Sequence, residues 1–296
     1  MNSKTLYLAF SGVDEALLER SEAAPAKRHA PMRWMALAAC LCLVATLLFP
    51  TVRGLLKGHG GDHKRPLATL EYGGKFYEAV DDPAILEKYG LPRQITAEMA
   101  GEQLIYLTGD KERGYDCTAK QTDKVLCHYA PAPGDAVYIV RDGNAYLAAI
   151  FCNFYQFDSN TSCELTELYR VYRISNAEDI ASITEIDWHR EKIIGTPLTD
   201  RQEIEEFYDR TTALWSYGND DFQKAMFGGC SSEEEQLALH TAFAEDSRVL
   251  RVETTEGLRF YLNFYPTYRW IYGGGTMSYF QIDEPLLQWF GRNFSR

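Results

Sequence analysis

Nineteen residues, Trp34–Val52 (WMALAACLCLVATLLFPTV), stand between Arg33 and Arg53 without a single charge, and no other stretch limits the folding options of this chain so strongly. At about 1.5 Å per helical residue such a run covers roughly 28 Å, close to the hydrocarbon thickness of a bilayer. A cleavable signal needs a basic start, an apolar core and a small-residue site at its far end. This run instead ends in Phe49-Pro50-Thr51-Val52, and several acidic residues precede it. Leu37-Ala38-Ala39-Cys40 has the form of a lipobox, but only six apolar residues separate Arg33 from Cys40. A helix of a soluble fold normally shows a polar face somewhere in five turns, and this run shows none. The expectation is a permanent single-pass transmembrane helix, with the lipid bilayer as its first partner.

Splitting the chain at this run separates its charge. Of 30 basic and 42 acidic side chains, residues 1–30 hold four of each and Arg33 borders the run, so residues 53–296 carry 25 basic against 38 acidic. A body of that sign repels nucleic acid. Lys27, Arg28 and Arg33 before the run face Arg53, Lys57, Lys64 and Arg65 after it, a balance too even to set orientation by the positive-inside rule.

Before the run, Leu6, Phe10, Val13 and Leu17 fall on one stripe of a helix. Ser11 followed by Asp14 is a capping-box-like start. So short a helix is marginal alone in water and gains by laying its stripe on a partner or on a membrane surface. Those four residues are the candidate partner-binding set. Ala23 to Pro31 reads as a loose basic linker, and Arg53 to Pro66 as a Gly-rich flexible tether.

The head SGVDEALLERSE, a basic linker and then RWMALAACLCLV together resemble the start of a widespread, poorly characterised group of single-pass membrane proteins of clostridia-type Gram-positive bacteria. AILEKYGLPRQITAEMAGEQL and YAPAPGDAVYIVRDGNAYLAAIFCNF are similar to the outer domains of the same group. Anti-sigma factors share this layout. The resemblance implies a cytosolic N-terminus, an extracellular body at the cell membrane, and a sigma factor or other regulator held in the cytosol. The head has no Cys/His pattern of the zinc-containing anti-sigma domains.

From Thr69 the pattern turns to strands. TLEYGGKFYEAV is a hairpin signal around Gly73-Gly74, and DAVYIVRDGNAYLAAIFCNFYQF is another around Asp142-Gly143. Asp82-Pro83 opens a helix that Gly90 and Pro92 close. Thr96 to Leu107 reads as a second helix or a strand, and Tyr169 to Ile174 and Ile183 to Trp188 as further strands. Thr199 with Gln202 and Ser232 with Glu235 form capping boxes for two later helices. Leu258, Phe260, Leu262 and Phe264 alternate with Arg259, Tyr261, Asn263 and Tyr265, the pattern of a half-buried antiparallel strand. A hairpin through Gly273–Gly275 and a helix from Pro285 complete the chain. The pattern predicts the α+β class, with one N-terminal transmembrane helix followed by two small extracytoplasmic antiparallel-sheet-plus-helix domains. The boundaries are a head at 1–33, the span at 34–52, a tether at 53–66, and domains at 67–195 and 196–296.

Five of the seven Cys lie after the run. An outside location permits bridges Cys117–Cys127 and Cys152–Cys163, with Cys230 left over; five unbridged small apolar residues fit the sequence equally well. No catalytic residue is assigned, because the chain lacks GxSxG, HExxH, P-loop and GxGxxG motifs. Cys127 and His128 adjoin, but strand neighbours point to opposite faces. His59 and His63 stand in a glycine loop without further ligands, so no metal or cofactor is expected. The sequence reads as a membrane-anchored sensor or regulator rather than an enzyme, coupling an outside event to a cytosolic partner. The alternative is a passive anchored module for an unknown extracellular ligand.

Overall fold

The computed structural model describes residues 68–154, 163–188, 192–276 and 278–294. The stripe Leu6, Phe10, Val13 and Leu17, the run Trp34–Val52 and the tether all lie outside the described residues.

The first half of the body closes on itself. Strands β1 (Ala68–Tyr72) and β2 (Lys75–Val80) turn at Gly73 and Gly74, whose φ of 58° and 72° a two-residue hairpin turn requires. Helix α1 (Pro83–Lys88) starts where Asp82 accepts from the Ala84 amide at 2.8 Å and Pro83 supplies the preset φ. Strands β3 (Ala100–Asp110), β4 (Gly114–Thr118), β5 (Lys124–Tyr129), β6 (Val137–Asp142) and β7 (Ala145–Phe154) follow. Their order is β1-β2-β7-β6-β5-β3-β4, and a parallel bridge between Leu70 and Tyr115 closes these seven strands into a barrel.

The second half is an open seven-stranded sheet, ordered β10-β14-β13-β12-β11-β8-β9 and antiparallel throughout. Its strands are β8 (Ile180–Asp187), β9 (Lys192–Leu198), β10 (Ser216–Tyr217), β11 (Arg248–Thr254), β12 (Arg259–Tyr265), β13 (Trp270–Gly273) and β14 (Ser278–Gln281). Helices α2 (Leu165–Val171), α3 (Arg201–Thr212), α4 (Asn219–Phe227), α5 (Glu233–Glu245) and α6 (Glu284–Phe294) cover it.

Two layers of side chains use the two faces of β12. Phe260, Leu262 and Phe264 enter a hydrophobic core that runs without a break into the barrel. In that core Trp289 packs on Phe207 at 4.9 Å and donates its indole N–H to the Glu203 carbonyl at 2.8 Å. Gly275 permits the close approach of barrel and sheet: a Cβ there would stand 2.3 Å from the Phe151 ring. On the opposite face Tyr265, Trp270, Tyr272 and Tyr279 meet Phe222 and Phe227 of α4 and Phe243 of α5 in an all-aromatic cluster. Phe222 stacks on Tyr279 at 3.7 Å and Phe243 on Tyr265 at 4.1 Å. Asn263 and Tyr265, expected on a half-exposed face, are therefore buried.

The expected fold class is corrected. In place of two small sheet-plus-helix domains, a closed barrel and a second seven-stranded sheet share one core, and β9 runs across residue 196. Alternation reports which side of a strand is buried, but closure depends on a contact between residues far apart in sequence, Leu70 and Tyr115. The transmembrane-helix expectation is corrected too: no helix among the described residues is long and apolar enough to cross a membrane. The longest, Glu233–Glu245, has thirteen residues, about 20 Å of helix. Tyr169 to Ile174, expected as a strand, ends helix α2, because Leu165, Leu168 and Tyr169 are buried at helical spacing. Thr96 to Leu107 resolves into β3 after a short 3-10 turn, and Asp200 rather than Thr199 caps α3.

Candidate functional site

The end of α1 meets β12 beyond the reach of β13, whose pairing with β12 begins only at Leu262. There the Arg259 amide donates to the Tyr89 carbonyl at 3.1 Å, the Arg259 guanidinium to the Glu87 carbonyl at 3.0 Å, and the Tyr261 hydroxyl to the Lys88 carbonyl at 2.5 Å. Gly90, at φ +80°, makes room for this contact, since a Cβ on it would stand 1.9 Å from the Gly257 carbonyl oxygen. These bonds fix three aromatic rings at the junction. Tyr89 meets Tyr261 edge-on at 5.9 Å, and Trp188 meets Tyr261 edge-on at 5.0 Å. The Lys88 ammonium sits 3.3 Å above the centre of the Trp188 ring.

On the barrel, Glu78 and Cys152 lie near enough to Tyr89 for their charge to disfavour its ionisation. Strands β2 and β7 pair Tyr77 with Phe151 and Phe76 with Asn153, so Cys152 is one residue extra, a β-bulge. A bulge bends its strand and re-aims a side chain. Cys152 is solvent-accessible although protein crowds it closely, the situation of a group in a recess rather than on a flat surface. Its thiol donates to the Ile150 carbonyl at 3.5 Å, and Ile150 is the residue paired with Glu78. Glu78 is only 8% exposed, and its carboxyl has no ion pair or hydrogen bond among the described residues.

The electrostatics of the recess are those of groups withdrawn from water. Burial pushes the Glu78 carboxyl above its ordinary value. Burial, and then the Glu78 charge, push the Cys152 thiol up to about 12. Tyr89 and Tyr172 are raised strongly by burial, and each is raised further by Cys152 and Tyr261. A thiol held in this state is a poor nucleophile. The arrangement suits binding: aromatic rings, and a carboxyl whose hydrogen-bonding capacity is unused among the described residues.

Of the cysteines singled out from the sequence, Cys152 alone belongs to this recess. Cys117, Cys127, Cys152 and Cys163 are all free thiols in this structure, as is Cys230. Cys117 on β4 and Cys127 on β5 flank β3 on opposite sides. Two strand spacings, about 9–10 Å, exceed the span of a disulfide. Cys163 is buried against Ser278 at 3.7 Å on the sheet side. Sequence reading did not single out Glu78 within the hairpin TLEYGGKFYEAV. The available signal was a lone charge inside FYEAV, between apolar neighbours.

Two other surfaces carry less. An open groove of about 690 Å³ along α3 is lined by Glu205, Glu206, Asp209, Arg210 and Asp283. Glu206 is engaged by Arg292 at 2.6 Å, and Arg210 stands between Glu206 and Asp283, an arrangement that ordinary solvated ion pairs explain. Trp215 and Tyr217 are exposed along β10, whose outer edge Glu164 already pairs through Trp215. Among the described residues no three His, Cys, Asp or Glu side chains are grouped to hold a metal ion. No protein family, curated protein or solved structure matches this chain.

Proposed function

We propose that the chain is a sensor or regulator: its body takes up a small ligand in the recess between barrel and sheet, and its head, through Leu6, Phe10, Val13 and Leu17, holds a cytosolic protein such as a sigma factor. One observation carries the first half of this reading, the Glu78 carboxyl, buried without a partner among the described residues, beside an accessible bulge. A protein retains such a costly group where a ligand completes it. The recess is also well placed to transmit a change. Tyr172 closes α2, Tyr89 follows α1 and Tyr261 belongs to the sheet, so a molecule bound there touches both halves of the body at once. The second half rests on the amphipathic stripe and on the resemblance to anti-sigma layouts, which also favour a body facing the outside of the cell.

The test is capture from cells by in-cell crosslinking, comparing the intact chain with a Phe10→Asp/Leu17→Asp variant. Recovery of a cytosolic regulator by the intact chain, lost in the variant, supports the reading. Equal capture by both overturns the head's role and leaves a passive binding module. Protease treatment of intact cells that spares the body would overturn the outside placement.

A further inference from the structure

We infer that α4 and α5 form a lid over the aromatic face of the sheet, and that this lid opens as one unit when His240 takes up a proton, while the core shared by barrel and sheet stays closed. The sheet divides the interior of the body. On one side Phe260, Leu262, Phe264, Ile271 and Phe280 belong to the core that runs into the barrel. On the other, Tyr265, Trp270, Tyr272 and Tyr279 meet the rings of α4 and α5 in a cluster of their own. The two helices hold that cluster lightly. Of the thirteen residues of α5, Phe243 alone is fully buried, and α4 buries Phe222 and Phe227. Trp270 donates its indole N–H to the Met226 thioether at 3.0 Å. Gly218 leads into α4, and Gly228-Gly229 follow it in the connection to α5. Beyond α5 the chain is pinned, since Asp246 accepts from the Thr267 amide at 2.9 Å and from its hydroxyl at 2.7 Å. A segment with few buried anchors and exposed helical backbone is where a fold opens first. Here opening bares the rings of the sheet face turned away from the barrel, so the device is independent of the ligand recess.

His240 joins the two helices. Its half-buried ring stacks on Phe227 at 3.7 Å, with 25° between the planes. A proton there puts a full charge into the seam. One turn away on α5 stand Gln236, Leu237, Phe243 and Ala244, none of them charged, and Glu233 is two turns off. On α4, Lys224 lies one turn before Phe227 and has the same sign as an imidazolium, while Asp220 and Asp221 sit in the first turn. The connecting loop brings the Cys230 thiol, and the sheet side brings the phenols of Tyr265, Tyr268 and Tyr279. An imidazolium gains from the Phe227 face, but burial outweighs that gain and holds the imidazole below its ordinary value. In the open lid the ring titrates at about 6.5. The closed lid is therefore most stable above that value and loses stability as pH falls through it, by at most about tenfold in the opening constant per pH unit.

The experiment is hydroxyl-radical footprinting of the full-length chain at about pH 7.5 and about pH 5, with oxidation read residue by residue. Trp270 lies under the lid at 3% exposure and Trp289 in the main core at 0%, so the second is the control for the first. The expected result is a gain of roughly threefold or more in Trp270 labelling on acidification, with Trp289 unchanged. The gain should vanish in His240→Phe, which keeps the stack but cannot take a proton, and His240→Lys should label at Trp270 already at about pH 7.5. Labelling of Trp289 at neutral pH would mark a variant that has not folded, and His240→Gln then replaces it. No gain at Trp270 overturns the lid. Equal gains at Trp270 and Trp289 overturn it as well, because the body then opens as a whole. A gain that persists unchanged in the uncharged variant overturns the part assigned to His240.

Discussion

Replacing Glu78 by Gln is predicted to stabilise this protein at neutral pH and to leave its stability unchanged near pH 4. Glu78 is 8% exposed and has no counter-charge among the described residues, and burial raises the affinity of its carboxyl for a proton. In the unfolded chain the same group titrates near its ordinary value of about 4.3. Its contribution to stability is therefore fully present below that value and is lost as pH rises through the higher folded-state value. Each unit between the two corresponds to about 1.4 kcal/mol. A buried polar group without a partner costs about 1–3 kcal/mol in mutational data. Gln keeps the volume and the hydrogen-bonding ends but cannot ionise. At about pH 7.5 the variant should gain roughly 1–3 kcal/mol, read as a rise in Tm of about 3–9 °C for a body of this size. Thermal and urea melts of both proteins, followed by circular dichroism across the range from acid to mildly basic pH, measure the gap directly. A gap independent of pH would show that charge is not the cause. A wild type that gains on the variant as pH rises would mean that the carboxylate has a cationic partner, and the reasoning about the recess would be refuted.

Four further outcomes are expected. Gly275→Ala puts a Cβ 2.3 Å from the Phe151 ring, which is buried and cannot retreat, and should cost about 1–3 kcal/mol in a urea titration; an unchanged midpoint would mean that barrel and sheet are not held by this contact. Trp289→Ala removes a fully buried indole and its bond to Glu203, and a loss below about 3 kcal/mol would contradict its place in the core. Arg248 holds the buried Glu185 through two hydrogen bonds, so Arg248→Met should cost about 3–5 kcal/mol, most of it recovered in the double variant with Glu185→Met; additive losses would sink that account. The Cys152 thiol, pushed up to about 12, should alkylate at least tenfold more slowly at neutral pH than free cysteine, with a rate that keeps rising above pH 10; rapid labelling at neutral pH would show an activated thiolate.

Much of the local structure was legible because it is fixed by neighbours in the chain. Gly73-Gly74 dictated a hairpin, Asp82-Pro83 and Ser232 dictated helix starts, and the alternation from Leu258 to Phe264 identified the buried face of β12. Those signals depend on φ, on side-chain caps and on a period of two, all of which are properties of short segments. The helix at Leu165–Val171 was legible in its spacing, but the segment from Tyr169 was read as a strand.

The remainder was decided by tertiary structure. Barrel closure needed Leu70 to find Tyr115, and the burial of Tyr265 needed α4 and α5 to lay Phe222 and Phe243 on it, contacts that no local pattern encodes. The recess is a product of the same kind. Glu78, Tyr89, Cys152, Tyr172 and Tyr261 are scattered over more than half of the body and are unremarkable one by one. The sequence determined their chemistry; packing the barrel against the sheet brought them together and removed their water. It is the loss of water, a property of the assembled fold, that raises the Glu78 carboxyl and turns an ordinary strand residue into a candidate ligand group.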